Sequence, residues 1–208
     1  MSRDEHVLVV PNGAAELLFA TLTEEGLSAA DRDAYSFVSR IKAEVDPSIR
    51  QVIPYVAMRF GDEVLAYTRL ASGNEGRLHG RISIGWGGHV GLVDAKLDSA
   101  GLLDPGATIG AAAQREVGEE LGLLAPAKII PRGVILHSDS AVDRVHVGLL
   151  IEWQFDQRPK FSADASSGDV GWVALRDLRR TEARLETWSR SAARILSELA
   201  EEASNTYC

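Results

Sequence analysis

The sequence predicts an α/β protein, an α/β/α sandwich around a mixed β-sheet, with an N-terminal extension and a C-terminal helix. Three observations carry this. Runs rich in β-branched and aromatic residues recur at 51–60, 63–69, 82–84, 127–136, 142–155 and 166–173. A helical stretch near 108–121 falls between these strands rather than before or after them, so strands and helices alternate. The chain closes on an amphipathic stretch from Thr181 to Ala203, with Leu185, Trp188, Ala192, Ile195 and Leu199 recurring every three or four residues.

Taken in order, His6–Val10 is a short β-branched run closed by Pro11-Asn12-Gly13, which predicts a strand and a turn. Ala14 to Leu22 predicts a helix with Leu17, Leu18 and Leu22 on one side. Ser28 to Val45 predicts partial helix, stopped by Asp46-Pro47. Gln51–Phe60 and Glu63–Arg69 read as two strands joined by a tight turn at Gly61-Asp62, and Pro54 places the start of the first at an edge or bulge. A looser stretch at 72–80 carries Arg77 and His79. Ile82-Ser83-Ile84 then leads into Gly85-Trp86-Gly87-Gly88-His89, where paired glycines allow close ligand approach. Thr108 is the predicted N-cap of the central helix, after a Pro105-Gly106 turn, and Gly122 its terminating glycine. Gly110, Ala113, Val117 and Leu121 form its apolar stripe. Three regions follow: residues 1–50 as an extension, 51–180 as the main domain and 181–208 as a helix packed on that domain or on a partner.

Composition narrows the function. With 208 residues, 45% hydrophobic and 25% charged, this is an ordinary globular chain. A net charge of −8 argues against general binding to nucleic-acid backbones or anionic membranes. No apolar run approaches a membrane span, and the start lacks the apolar core of a secretion signal. The single cysteine, Cys208, permits no internal disulfide, so a reducing compartment, the cytoplasm, is the expected location.

The chemistry concentrates in Arg115-Glu-Val-Gly-Glu-Glu-Leu-Gly-Leu123. Glu116, Glu119 and Glu120 fall on one helical face at about 100° per residue. Like charges at that spacing repel. A hard divalent ion, which prefers oxygen ligands and keeps several waters, resolves the repulsion.

This string resembles the box of the Nudix hydrolase superfamily, Gly-x5-Glu-x7-Arg-Glu-U-x-Glu-Glu-x-Gly-U with U aliphatic. Arg115, Glu116, Val117, Glu119, Glu120, Gly122 and Leu123 match its second half without a gap, and Gly101 matches the leading glycine by spacing. One position departs: the first box glutamate is Ala107, which leaves Arg115 without its usual partner, and Asp104 or Asp98 is expected to stand in. Gly87 and Gly88 look like the pair that precedes the box in this family, separated from it here by an insertion, Gly91–Ala100. The phrases around His79 and His89 resemble a subgroup known as predicted Nudix-type phosphoesterases.

The resemblance implies a Nudix-like fold and Mg²⁺- or Mn²⁺-dependent cleavage of a diphosphate bond in a nucleoside diphosphate linked to another group. Carried over residue by residue, Glu116, Glu119 and Glu120 are metal ligands together with a carbonyl near Gly88. Arg115 orients a glutamate, and the four box side chains are the catalytic set. Arg77, His79, His89, Asp139, Asp143 and Asp169 are candidates for substrate contact, and Asp139, Asp143, Glu152 or Asp169 for a further acid or base. Expected partners are a small nucleotide derivative and a second copy of the chain, with no nucleic acid or membrane. Two other readings are open. One is a nucleotide-binding regulatory module on the same fold. The other is an isoprenoid diphosphate isomerase, which needs a cysteine beside the metal and finds only Cys208 at the terminus.

Overall fold

The computed structural model describes residues 5–15, 22–23, 26–27, 29–70, 78–123, 126–162 and 167–206, the side chains of 22–31, 179 and 200–206 excepted. The predicted helix at 14–22, Arg77 and Cys208 lie largely or wholly outside these residues.

Among the described residues, ten strands and four α-helices follow in chain order: β1 His6–Pro11, β2 Leu22–Thr23, β3 Gly26–Leu27, β4 Ser36–Ser39, α1 Arg40–Ala43, β5 Ile49–Phe60, β6 Glu63–Arg69 and β7 Ile82–Ser83. After these come α2 Pro105–Leu121, β8 Lys128–Ile135, β9 His146–Gln154, β10 Ser167–Ala174, α3 Leu175–Leu178 and α4 Thr187–Thr206. β2 and β3 pair only with each other. The other eight strands form one mixed sheet about β5, which runs parallel to β9 and antiparallel to its other partners. β9 continues to β8. On the opposite side of β5, β1 and β4 extend one end of the sheet, and β6, β7 and β10 the other.

Side-chain alternation along β5 divides the core. Val52, Val56 and Met58 pack with Ile109, Ala112, Val117 and Leu121 of α2. Tyr55 and Ala57 face the other way, onto Ala192, Ala193 and Leu196 of α4. The sandwich expected from the order of elements is therefore present, with α2 and α4 on opposite faces. Each large apolar side chain fully buried in these clusters contributes about 1.5–3 kcal/mol relative to exposure. No described helix is long and apolar enough to cross a membrane.

The structure departs from the sequence reading in four places. β5 is the central strand, so Pro54 is at neither an edge nor a bulge. Backbone polarity alternates along a strand, which puts the Pro54 nitrogen on the side where the Val56 N–H bonds the Trp86 carbonyl at 2.8 Å. There β1 pairs only up to Gln51 and β6 only from Arg59, so the missing N–H falls in a gap between partners. Within the stretch read as partly helical, Ser36–Ser39 is a strand held against β1.

The central helix begins at Pro105, capped by Asp104, whose Oδ1 accepts from the Ala107 N–H at 2.9 Å. Proline suits a first helical position because its missing N–H would have no partner there. Thr108 is instead buried inside the helix, where its Oγ1 accepts from the Lys96 N–H at 2.9 Å. On α4 the buried stripe is Ser189, Ala192, Ala193, Leu196 and Ser197, with Trp188 and Ile195 only half-buried. Ser189 tolerates burial because its Oγ lies 2.7 Å from the Tyr55 hydroxyl and accepts from the Ile84 N–H at 3.0 Å.

Gly122 ends α2 as expected, at φ 67°, with its N–H on the Gly118 carbonyl. Gly122→Ala is expected to cost about 1 kcal/mol, seen as a lower urea midpoint, because an L side chain resists that conformation.

Candidate active site

α2 presents its acidic face toward the loop that follows β7. The Glu116 carboxylate lies where a side chain on Gly88 would stand, with its carbon and oxygens 2.5–2.7 Å from the position of an added Cβ. Gly87 is constrained in the same way by the Pro54 carbonyl. The paired glycines therefore allow the loop backbone to touch both the central strand and the helix carboxylate. Glu120 is half-buried, and its charge reaches the buried Tyr67 hydroxyl. Glu119 is the outward member, its side chain 61% exposed.

Arg115 fixes this face. Its Nε and Nη2 donate to the two oxygens of Asp94, both at 2.9 Å, in a fork-to-fork pair. Nη1 donates to Glu116 Oε1 at 2.7 Å, and Nη2 also donates to the His89 carbonyl at 3.0 Å. These carboxylates, Asp94 first, raise the guanidinium's proton affinity further. The acid that replaces the missing box glutamate is thus Asp94, not Asp104 or Asp98. Asp104 caps α2 and Asp98 pairs with Arg32. Asp94 is 4% exposed and closes the short 3₁₀ turn Leu92–Asp94 by accepting the Gly91 N–H at 2.9 Å. No local motif marks it. The insertion between the glycine pair and the box is what delivers the anchor of Arg115.

Burial raises the Glu116 carboxyl above the usual range, against the opposing pull of Arg115. Glu116, Glu119, Glu120 and the backbone at Gly88 offer hard oxygen donors, and the Glu116 carboxylate lies against Gly88. In donor type and in this contact they fit a hard divalent cation. Among the described residues, no three acidic, imidazole or thiol side chains already converge as a metal cage. A cation must therefore draw the glutamates inward and compete with Arg115 for Glu116.

The remaining candidates separate. His89 lies beside Gly88 and is largely buried. Its Nε2 is 3.3 Å from the Nε2 of His146, whose Nδ1 donates to the Val142 carbonyl at 2.8 Å. Burial first, then the charges of Arg40 and His146, push His89 down to about 3, so it is neutral near pH 7. Asp143 lines the neighbouring cavity, but its Oδ2 is taken by the Ser140 hydroxyl and N–H at 2.5 and 3.1 Å. Glu152 is buried between Arg132 and Arg59. His79 is exposed. Asp139 is 86% exposed, and Asp169 sits at φ 49° on a bulge of β10.

Sequence reasoning passed over Asp94, Arg40 and Trp188. Trp188 packs against the core as its stripe position predicts, and it also lines the cavity beside Gly87 and Gly88.

Gly88→Ala is expected to keep the fold and to lower divalent-cation affinity about tenfold or more, because the methyl group displaces the Glu116 carboxylate. A manganese titration of the two proteins checks this.

The sequence model of the NUDIX domain matches residues 80–196. The protein YmaB of Bacillus subtilis (strain 168) is 32% identical over 207 residues, covering 93% of this chain and 98% of that protein. The crystal structure of Tm1382, a proposed Nudix hydrolase, superimposes with a TM-score of 0.70 at 26% identity, covering 94% of this chain and 99% of Tm1382. With its box helix, its glycine pair and its sandwich in place, the chain belongs to the NUDIX domain family and stands among the Nudix-type pyrophosphohydrolases.

Proposed function

We propose that the protein hydrolyses a diphosphate bond in a small nucleoside diphosphate derivative, with Mg²⁺ or Mn²⁺ held by Glu116, Glu119, Glu120 and the backbone at Gly88. The observation that carries this reading is the seating of the Glu116 carboxylate on Gly88 while Arg115, locked by Asp94, holds it from the other side. Three like charges on one helical face repel one another, a cost that a bound cation removes.

When bound, the cation neutralises diphosphate charge and lowers the pKa of coordinated water. The chain's own residues do the rest. Arg115 sets the orientation of Glu116, a role suited to its rigid fork of donors. Glu116, whose proton affinity is raised by burial, or one of the later acids takes the proton from the attacking water. Gly87 and Gly88 let the loop backbone lie against the central strand and Glu116, and the cavity beside them takes the organic part. A small acidic chain of this kind favours a soluble metabolite over nucleic acid or membrane, and the cytoplasm as its location. We take residues 1–50 as an N-terminal extension, 51–180 as the catalytic region and 181–208 as the segment whose helix α4 packs on that region or on a partner.

The test is a phosphate-release screen over sugar nucleotides, dinucleoside polyphosphates, nucleotide coenzymes and damaged nucleotides, with and without Mg²⁺. Turnover of at least one class only with the metal is expected. Nucleotide binding without metal-dependent turnover selects the regulatory module instead.

A further inference from the structure

Two cavities meet beside α2. One, of about 310 Å³, is lined by Ile53, Tyr55, Gly87 and Trp188. The other, of about 580 Å³, opens over Arg115, Glu116 and Glu119. Gly88, His89 and Arg40 line both, so they stand at the junction. Arg40 is the first residue of α1 and comes from the segment before β5, outside the span matched by the family.

Three arginines line these cavities among the described residues, and they differ in what holds them. Arg115 is engaged by Asp94, Glu116 and the His89 carbonyl. Arg69 is paired at 3.1 Å with Glu186, a buried carboxylate that also accepts from the Tyr55 and Ser83 hydroxyls. Arg40 pairs with Glu5 at 2.9 Å and with Glu44 at 3.0 Å, both carboxylates that reach solvent. Arg40 is itself only 24% exposed, but its partners are 39% and 49% exposed, whereas Glu186 and Asp94 are each 4% exposed, so water screens the pairs of Arg40 more than theirs. Of the three, Arg40 is therefore the cation that an arriving phosphate can recruit at least cost.

The first cavity has the character of a binding site for an organic ring. Its volume is at the small end for ligand pockets. The Trp188 ring stands edge-on to Tyr55, with centroids 5.7 Å apart, and this contact fixes its orientation. A nucleoside lodged there must extend its phosphates across Gly88 and His89 to reach the glutamates of α2, and that route passes Arg40.

We infer that Arg40 is a substrate-binding residue, which grips the diphosphate of a nucleoside diphosphate derivative where it crosses from the Trp188 cavity to the acidic face of α2. The inference rests on the functional reading above and adds to it a phosphate ligand supplied by the N-terminal segment. A guanidinium suits this place because its planar donors meet two phosphate oxygens at once.

The experiment is a calorimetric titration of the full chain with ADP and with adenosine, Mg²⁺ present, alongside a Mn²⁺ titration. Wild type is expected to bind ADP more tightly than adenosine. Arg40→Gln is expected to lose about tenfold or more of the ADP affinity while its adenosine affinity and Mn²⁺ affinity stay unchanged. Arg40→Lys, which keeps the charge without the fork, is expected to recover part of the loss. Glu5→Gln breaks the same ion pair and is expected to leave ADP binding intact or tighter, which a purely structural Arg40 would not allow.

The inference is overturned if Arg40→Gln binds ADP as wild type does, if Glu5→Gln shows the same loss, or if wild type binds Mn²⁺ but no ADP. Failure of wild type to bind Mn²⁺ removes the functional reading itself, and the inference with it.

Discussion

Glu120→Gln is expected to lower metal-dependent hydrolysis at least about a hundred- to a thousand-fold while leaving the fold intact. The substitution keeps size and helix propensity but removes one negative charge from the face that Glu116, Glu119 and Glu120 share. It also relieves the repulsion between Glu116 and Glu120, four residues apart on α2, so the thermal midpoint should hold or rise slightly. The pairing of Arg115 with Asp94 involves neither atom changed, and the anchor of the helix face stays in place. Turnover against the substrate identified by the screen, measured beside a melting curve, reads both effects. Near-normal turnover would remove Glu120 from the machinery.

Arg50→Met is expected to destabilise the protein by about 3–5 kcal/mol, the cost of two or more acceptors left unpaired at about 1–3 kcal/mol each. Arg50 lies on β5 and is 4% exposed. Its Nε donates to Asn12 Oδ1 at 2.6 Å. Its Nη1 donates to the carbonyls of His137, Asp143 and His146 at 3.1, 2.6 and 2.9 Å, and Nη2 donates to Ser138 Oγ at 3.4 Å. One guanidinium thus ties the turn after β1 to the whole loop between β8 and β9. Methionine fills much of the volume but leaves these buried acceptors without donors, each at a cost of about 1–3 kcal/mol unless water enters. Arg50→Lys should rescue little, because a single ammonium cannot span acceptors arranged around a planar fork. Urea unfolding reads the loss. Since Val142, Asp143 and His146 line the smaller cavity, weaker substrate binding should accompany it.

Much of the frame is legible in the sequence because period and punctuation report it directly. β6, Glu63–Arg69, has the predicted bounds, and Gly122 closes the box helix in the left-handed conformation it was assigned. The acidic face of α2 follows from spacing alone. Elements fixed by long-range pairing are not legible. Ser36–Ser39 is a strand only because β1 offers it an edge, and Pro54 sits mid-sheet only because its neighbours part there. On α4 the expected stripe is shifted: Ser189 is buried, and Trp188 is only half-buried against the core. A small hydroxyl that can bond Tyr55 packs closer to the sheet than an indole, which is left to line the cavity.

The same limit applies at the site. The box names Arg115 and its three glutamates, but the partner of Arg115 is chosen by the path of the inserted loop, and Asp94 carries no local signature. Arg40 reaches the junction because β1 and β4 add the N-terminal segment to the same sheet, which brings α1 beside Gly88 and His89. Asp139, Asp169 and His79 are polar loop residues of the type that contacts substrates, yet here they lie exposed on the surface.

The central claim is that the acidic face of α2 binds a divalent cation, and crystals soaked in manganese test it most directly. Anomalous density bonded to oxygens of Glu116 and Glu120, beside the backbone of Gly88, is the expected result. Ordered carboxylates pointing into solvent, with no anomalous peak between them and Gly88, would contradict it.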